Sequence, residues 1–218
     1  MGRDVLIVED RRILAESLGQ ALSAVGLEPR LVMEPSLEAV EASLEHDDPA
    51  AAIVAIGFGG DSMTESAVGL LTSHGIPTII MTGGEDRLRM ARCVAEGAIG
   101  IIDRNSSFST VASVIKEAAG FESLLSLTEV YRLQDDLRRH QAAVTKRRKP
   151  FEQLTERERA VLESLTNGQR AEEIADQAFV SISTVRSQIR AILTKLGVSS
   201  QLAAVAMANR ADVFDRAK

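Results

Sequence analysis

Arg186 and Arg190 stand four residues apart in the segment VSISTVRSQIRAILTKL, residues 180–196. On a helix that spacing puts both guanidinium groups on one face, shared with Ser183, Ser187 and Thr194. A guanidinium presents a planar fork of donors that can grip a guanine edge through two hydrogen bonds. Small hydroxyls permit close approach and reach either bases or phosphates. Two arginines alone describe an ordinary solvated face. Here Val185, Ile189, Ile192 and Leu196 fall on one apolar stripe at helical spacing, and a compact helix–turn–helix pattern precedes them. That context turns the polar face into a candidate for the major groove of DNA.

A second set of reactive side chains follows short apolar runs. Glu9 and Asp10 come directly after VLIV, Thr82 after TIIM, and Asp103 and Arg104 after IGII. Paired carboxylates suit a hard cation such as Mg²⁺. The set contains no nucleophile–base pair and no complete metal-ligand set, so it predicts neither an enzyme nor a bound cofactor or metal. The GFGG and TGG stretches lack the lysine and spacing of a phosphate-binding loop.

The elements that position these residues follow from periodicity. VLIV (5–8), LVM (31–33), AAIVAI (51–56), TIIM (78–81) and IGII (99–102) read as strands, and continuous apolar runs of this length suit a parallel sheet covered on both faces. Amphipathic stretches at 11–25, 36–45, 65–74, 86–96 and 108–119 read as the helices between them. Strict alternation predicts an α/β doubly wound five-stranded parallel sheet over residues 1–120. Ligands of such sheets sit beyond the carboxyl ends of the strands, where Glu9, Asp10, Thr82 and Arg104 fall.

Residues 121–149 form a linker helix and a basic hinge. Val130, Leu133, Leu137, His140 and Val144 recur at spacings of three and four, as in a heptad seam. The stripe packs either on its own α/β domain or on a second subunit. Lys146-Arg147-Arg148-Lys149 leads to Pro150, which should stop the helix. Residues 150–218 read as a small all-α four-helix domain. Thr155-Glu156-Arg157-Glu158 is a capping box for its first helix, which Gly168 ends. A short second helix covers about 170–177. Ser181 or Ser183 caps the third, which stops at Gly197, and Ser199 caps the fourth.

Charge divides along the same line. Residues 1–145 carry 12 Lys/Arg against 22 Asp/Glu, whereas residues 146–218 carry 13 against 9. A polyanion would favour the C-terminal part. The lone Cys93 excludes an intramolecular disulfide and reads as a packed thiol. The apolar run at the start is too short for a signal peptide or membrane span, so the expected location is the cytoplasm, at the nucleoid, with no membrane partner.

The C-terminal string resembles the LuxR-type helix–turn–helix of the NarL/FixJ response regulators. The resemblance rests on Leu154-Thr155, Arg157-Glu158, Val161-Leu162, Gly168, Glu173-Ile174-Ala175, Val180-Ser181, Thr184-Val185, Ile192, Lys195-Leu196, Val198 and Ser199. It implies that Arg186, Ser187 and Arg190 take base-reading positions, with Ser183 and Thr184 beside them and Gln188 and Lys195 nearer the DNA backbone. The family's Lys and His after the Thr-Val pair are Arg186 and Gln188 here. The family's fourth helix makes the DNA-bound dimer contact, which points to Leu202 and Val205.

The α/β part similarly resembles a CheY-like receiver. In that family two acids after the first strand and an aspartate ending the third hold Mg²⁺, and the aspartate accepts a phosphoryl group. Glu9 and Asp10 match the acids, and Thr82 matches the hydroxyl ending the fourth strand. Ala55 stands at the phosphoacceptor, Ile101 at the rotating aromatic, and Arg104 at the lysine. Asp47 and Asp48 lie before the third strand and Asp61 six residues past Ala55. An alanine methyl neither takes a phosphoryl group nor ligates a metal. The implied protein is a dimeric DNA-binding transcriptional regulator whose receiver lacks phosphoryl chemistry. Its other partners would be a regulatory protein or small ligand at the receiver. The competing reading is a protein-interaction module, such as an anti-activator that sequesters a related regulator.

Overall fold

The computed structural model describes residues 4–45, 47–60, 62–84, 86–120 and 124–214. The chain divides into two compact units, Met1–Arg138 and Arg139–Lys218.

In the first unit, strands β1 (Asp4–Val8), β2 (Glu28–Val32), β3 (Ala51–Ala55), β4 (Thr78–Thr82) and β5 (Gly100–Asp103) form one parallel sheet of order β2-β1-β3-β4-β5. Helices α1 (Arg12–Ala24), α2 (Leu37–Ala42), α3 (Met63–Ser73), α4 (Arg87–Ala95) and α5 (Phe108–Ala118) alternate with the strands. Side chains of a strand point to opposite faces in turn. Leu6 and Val8 therefore join Val54, Ile80, Val68 and Leu71 on one face, whereas Val5 and Ile7 join Ile53, Ile79, Leu22 and Ile115 on the other. Both faces are covered, which is why β3 and β4 are buried along their whole length and read as unbroken apolar runs.

β2 differs from its expected position, LVM at 31–33. It starts at Glu28 and pairs with β1 from Asp4↔Glu28 to Val8↔Val32. As an edge strand it is partly exposed, so only its end is apolar, and Pro29 is tolerated there. Arg30 compensates for the missing apolar character by an ion pair of 2.8 Å with Asp4 on β1.

The seam residues divide. α6 runs from Leu127 to Arg148, and Leu133, 1% exposed, packs into the core of the first unit with Leu137 beside it. An ion pair of 3.0 Å between Arg87 and Asp136 lies on the same stretch. Leu133 is thus spent on its own unit, whereas Leu137 is half-buried against the same core. Val130 is half-buried.

The basic run, expected to form a hinge, is helical. Lys146 to Arg148 form the last turn of α6, which passes directly into a 3-10 helix at Lys149–Gln153 with Pro150 in its first turn. Proline is welcome at a helix start because its missing N–H would be unpaired there anyway. Phe151 is buried in the C-terminal core, and Arg148 donates to the carbonyls of Ala211 (3.3 Å) and Asp212 (2.6 Å). The segment is helical throughout, and Phe151 and Arg148 tie it to the C-terminal core.

That unit contains α7 (Glu156–Thr166), α8 (Ala171–Gln177), α9 (Ile182–Leu196) and α10 (Gln201–Ala211). Leu162, Ile174, Val185, Ile192 and Ala208 meet in its core. Among the described residues, no single helix is long and apolar enough to cross a membrane.

Candidate nucleic-acid interface

The face of α9 is fixed from three sides. At its start, Ser181 accepts from the Thr184 N–H at 3.1 Å, and its Oγ lies 2.8 Å from the hydroxyls of both Ser183 and Thr184. Ser181, not Ser183, is the cap. At its end, Gly197 adopts φ 67°, a left-handed conformation that glycine takes without steric cost. Beneath, Val185 and Ile192 are fully buried and Leu196 nearly so, with Ile189 packed against the same core. A helix held this way projects Arg186, Ser187 and Arg190 outward, and all three are exposed. Arg186 makes an exposed ion pair of 3.3 Å with Glu172 on α8. Such a pair is worth little in water and is readily exchanged for a phosphate or base. The exposed Ser183 and Thr184 lie at the positive end of the helix dipole, where anions are stabilised.

Lys195, expected nearer the DNA backbone, makes a contact within the helical unit. Its Nζ donates to Glu158 Oε2 at 2.7 Å. The same oxygen accepts from the Thr155 N–H at 2.8 Å, so the lysine ties α9 to the capping box of α7. The lysine's hydrogen bond, assisted by Thr155, holds the Glu158 carboxyl below its usual range. Lys195 thus bridges α9 and α7. Gln188, half-buried, lines with Thr184, Arg157, Ser164 and Gln177 a groove of about 360 Å³ between α7, α8 and α9. The turn before α9 carries a feature missed in the sequence. Phe179 sits at φ 53° with 95% of its surface exposed. Ser200, rather than Ser199, caps α10 by accepting from Ala203 N–H. On that helix Leu202 is 78% exposed, while Val205 packs partly on its own core.

At the carboxyl edge of the sheet the oxygens of Glu9, Asp10 and Thr82 are satisfied locally. Glu9 is 3% exposed, and Arg11 grips it through Nε and Nη2, both at 2.8 Å, while the Arg11 N–H adds a third bond at 3.0 Å. Asp10 accepts from the Gly59 N–H at 3.1 Å, and Thr82 from the Gly84 N–H at 3.0 Å. Arg11, two residues from Glu9, is thus its counter-ion. Ala55 is 2% exposed and presents a methyl at the end of β3. Ile101 is half-buried beside the first core. Arg104 donates weakly to the Ile56 carbonyl at 3.4 Å, and its Nε is buried without a hydrogen-bond partner. Asp61 lies outside the described residues. No cluster of three metal-binding side chains occurs among the described residues. Cys93 is buried, and burial pushes its thiol up to about 12, which leaves it protonated and inert at neutral pH.

Comparison with known proteins matches this geometry at the C-terminal unit. Residues 152–208 fit the family described as bacterial regulatory proteins, luxR family. The chain is 26% identical over 218 residues to a probable transcriptional regulatory protein NarL of Mycobacterium tuberculosis, covering 97% of this chain and 95% of that relative. It is 27% identical over 205 residues to the transcriptional regulatory protein YdfI of Bacillus subtilis, covering 94% of each. Among solved structures it is similar to full-length FixJ from B. japonicum, at a TM-score of 0.46 and 18% identity, with 97% of this chain and 98% of that one covered.

Proposed function

We propose that this protein, a DNA-binding transcriptional regulator whose residues 152–208 belong to the luxR family of bacterial regulatory proteins, acts as a dimer and without aspartyl phosphorylation. The observation that carries the reading is the α9 face. Arg186, Ser187 and Arg190 stand exposed on a helix whose other side is locked into a core. Arginine forks at that spacing suit guanine edges, and the hydroxyls at the helix start suit phosphates. The fully exposed Phe179 on the preceding turn adds an apolar contact for a sugar or thymine methyl.

Independence from phosphorylation is supported by Ala55, a buried methyl where an acceptor oxygen would be required. It is further supported by Glu9 and Asp10, whose oxygens already serve Arg11 and Gly59. Stripping those donors to form a Mg²⁺ site would leave one ligand too few. The exposed Leu202 on α10 supports the dimer contact. Control then comes from abundance, a protein partner, or a small ligand at the receiver, and the protein acts in the cytoplasm at the nucleoid.

The test is genome-wide mapping of DNA bound by the full chain beside an Arg186→Ala/Arg190→Ala double variant. Discrete peaks lost in the variant are expected. Absence of peaks, with capture of a related regulator instead, would favour an anti-activator working through Leu202.

A further inference from the structure

The carboxyl edge of the sheet holds a cavity of about 110 Å³ between α1, α5 and the ends of β1, β3 and β4. Its walls are Leu14 and Leu18 of α1 and Phe108 and Val111 of α5, and Ala55 and Met81 lie at its floor. In the receivers that this unit resembles, such an edge is polar and built around carboxylates. Here it is mostly apolar.

Three observations point to an occupant. Leu14 and Phe108 leave 37% and 55% of their surfaces exposed, so the apolar lining reaches solvent and a ligand has a way in. Arg104 lines the cavity, and its buried Nε has no hydrogen-bond partner, which is costly for a charged donor unless something accepts from it. The only other charge in the lining, Glu9, is neutralised by the two-point grip of Arg11. One cation is therefore left uncompensated, and Ser106 stands near it as a second donor.

We propose that this cavity binds a small organic monocarboxylate, with its carboxylate on Arg104 and Ser106 and an apolar body between α1 and α5. At about 110 Å³ the cavity is smaller than the roughly 150 Å³ that encloses benzene, so a ring or a short branched chain is seated partly within it and partly at its open side beside Leu14 and Phe108. A guanidinium pairs with a planar carboxylate through two parallel bonds, and the apolar walls remove the competing water. Inorganic phosphate fits less well, because it has no apolar part to set against Leu18 and Val111. The inference rests on the receiver working without phosphoryl chemistry.

The test uses full-length protein and isothermal titration at constant ionic strength with three probes: benzoate, benzyl alcohol of matching size but no charge, and inorganic phosphate. Benzoate should saturate at one per chain, with benzyl alcohol at least tenfold weaker and phosphate not saturating. Arg104→Met should weaken benzoate at least tenfold. Ser17→Phe, on the exposed side of the cavity wall, should narrow the space and abolish binding with Arg104 in place, so the result does not depend on the first variant folding. No saturable benzoate binding, equal binding of benzyl alcohol, or phosphate binding tighter than benzoate would each overturn the proposal. Operator binding measured on the same samples separates the two readings: intact DNA binding without benzoate binding removes only the ligand.

Discussion

Two charged regions of this chain differ in where their partners are. At the sheet edge, Glu9, Asp10 and Thr82 each accept bonds from the chain's own donors, and Ala55 closes the place between them with a methyl. On α9, Arg190 is exposed with no side-chain partner among the described residues, and Arg186 holds only a solvated pair with Glu172. Groups satisfied within the fold cost little to keep and are poorly placed to react. Exposed cations on a rigid helix favour an external anion. The difference teaches that the sheet edge spends its oxygens on the chain's own donors while α9 leaves its cations open to an external partner.

The comparison can be broken first at the scaffold. Ile192→Ala removes a fully buried side chain beneath the α9 face and should destabilise the C-terminal unit by about 2–5 kcal/mol. Denaturant unfolding of the full chain checks this, and DNA binding should fall with the folded fraction. If stability is unchanged, the face is not held as described. Next comes the face itself. Arg190→Ala should weaken operator affinity by about 1–3 kcal/mol with no change in melting temperature. Arg104→Ala at the sheet edge should leave operator affinity unchanged. Competition titrations on the same DNA fragment compare the two.

A smaller effect separates Lys195 from the DNA-reading residues. Glu158→Gln should lower stability at pH 7 by about 0.5–2 kcal/mol, the scale of a helix cap. Because Lys195 and Thr155 hold the Glu158 carboxyl below its ordinary value, the stabilisation is present above about pH 4 and fades as pH falls through the lower folded value. Unfolding curves of wild type and variant should therefore converge in acid. A difference that persists to the lowest pH would remove the carboxylate from the account. Lys195→Met should cost stability of similar size and reduce DNA affinity far less than Arg190→Ala.

Much of this was legible in the chain. Four strands and the helices between them follow from apolar runs such as VLIV and TIIM, because both sheet faces are buried and the pattern is unambiguous. The start of β2 was not legible because this edge strand opens on Glu28-Pro29-Arg30 and only its last two residues, Leu31 and Val32, are apolar. The core stripe of α9 was readable from periodicity alone. The long-range ties were not. Lys195 reaches Glu158 across 37 positions, and a lysine beside two arginines looks like a third DNA contact until the fold brings α7 beneath it. Arg11 was overlooked as the partner of Glu9 because the pairing depends on the turn between β1 and α1. The Leu133 stripe had two readings of equal periodicity, and only the packing against the first core shows that Leu133 is buried there and Leu137 half-buried.

The most direct test of the central claim is operator affinity of the full chain before and after incubation with acetyl phosphate and Mg²⁺, with phosphoryl incorporation measured on the same sample. The account predicts specific binding at the outset, no stoichiometric incorporation and an unchanged affinity. Stoichiometric phosphorylation of the receiver-like unit accompanied by tighter DNA binding would contradict it.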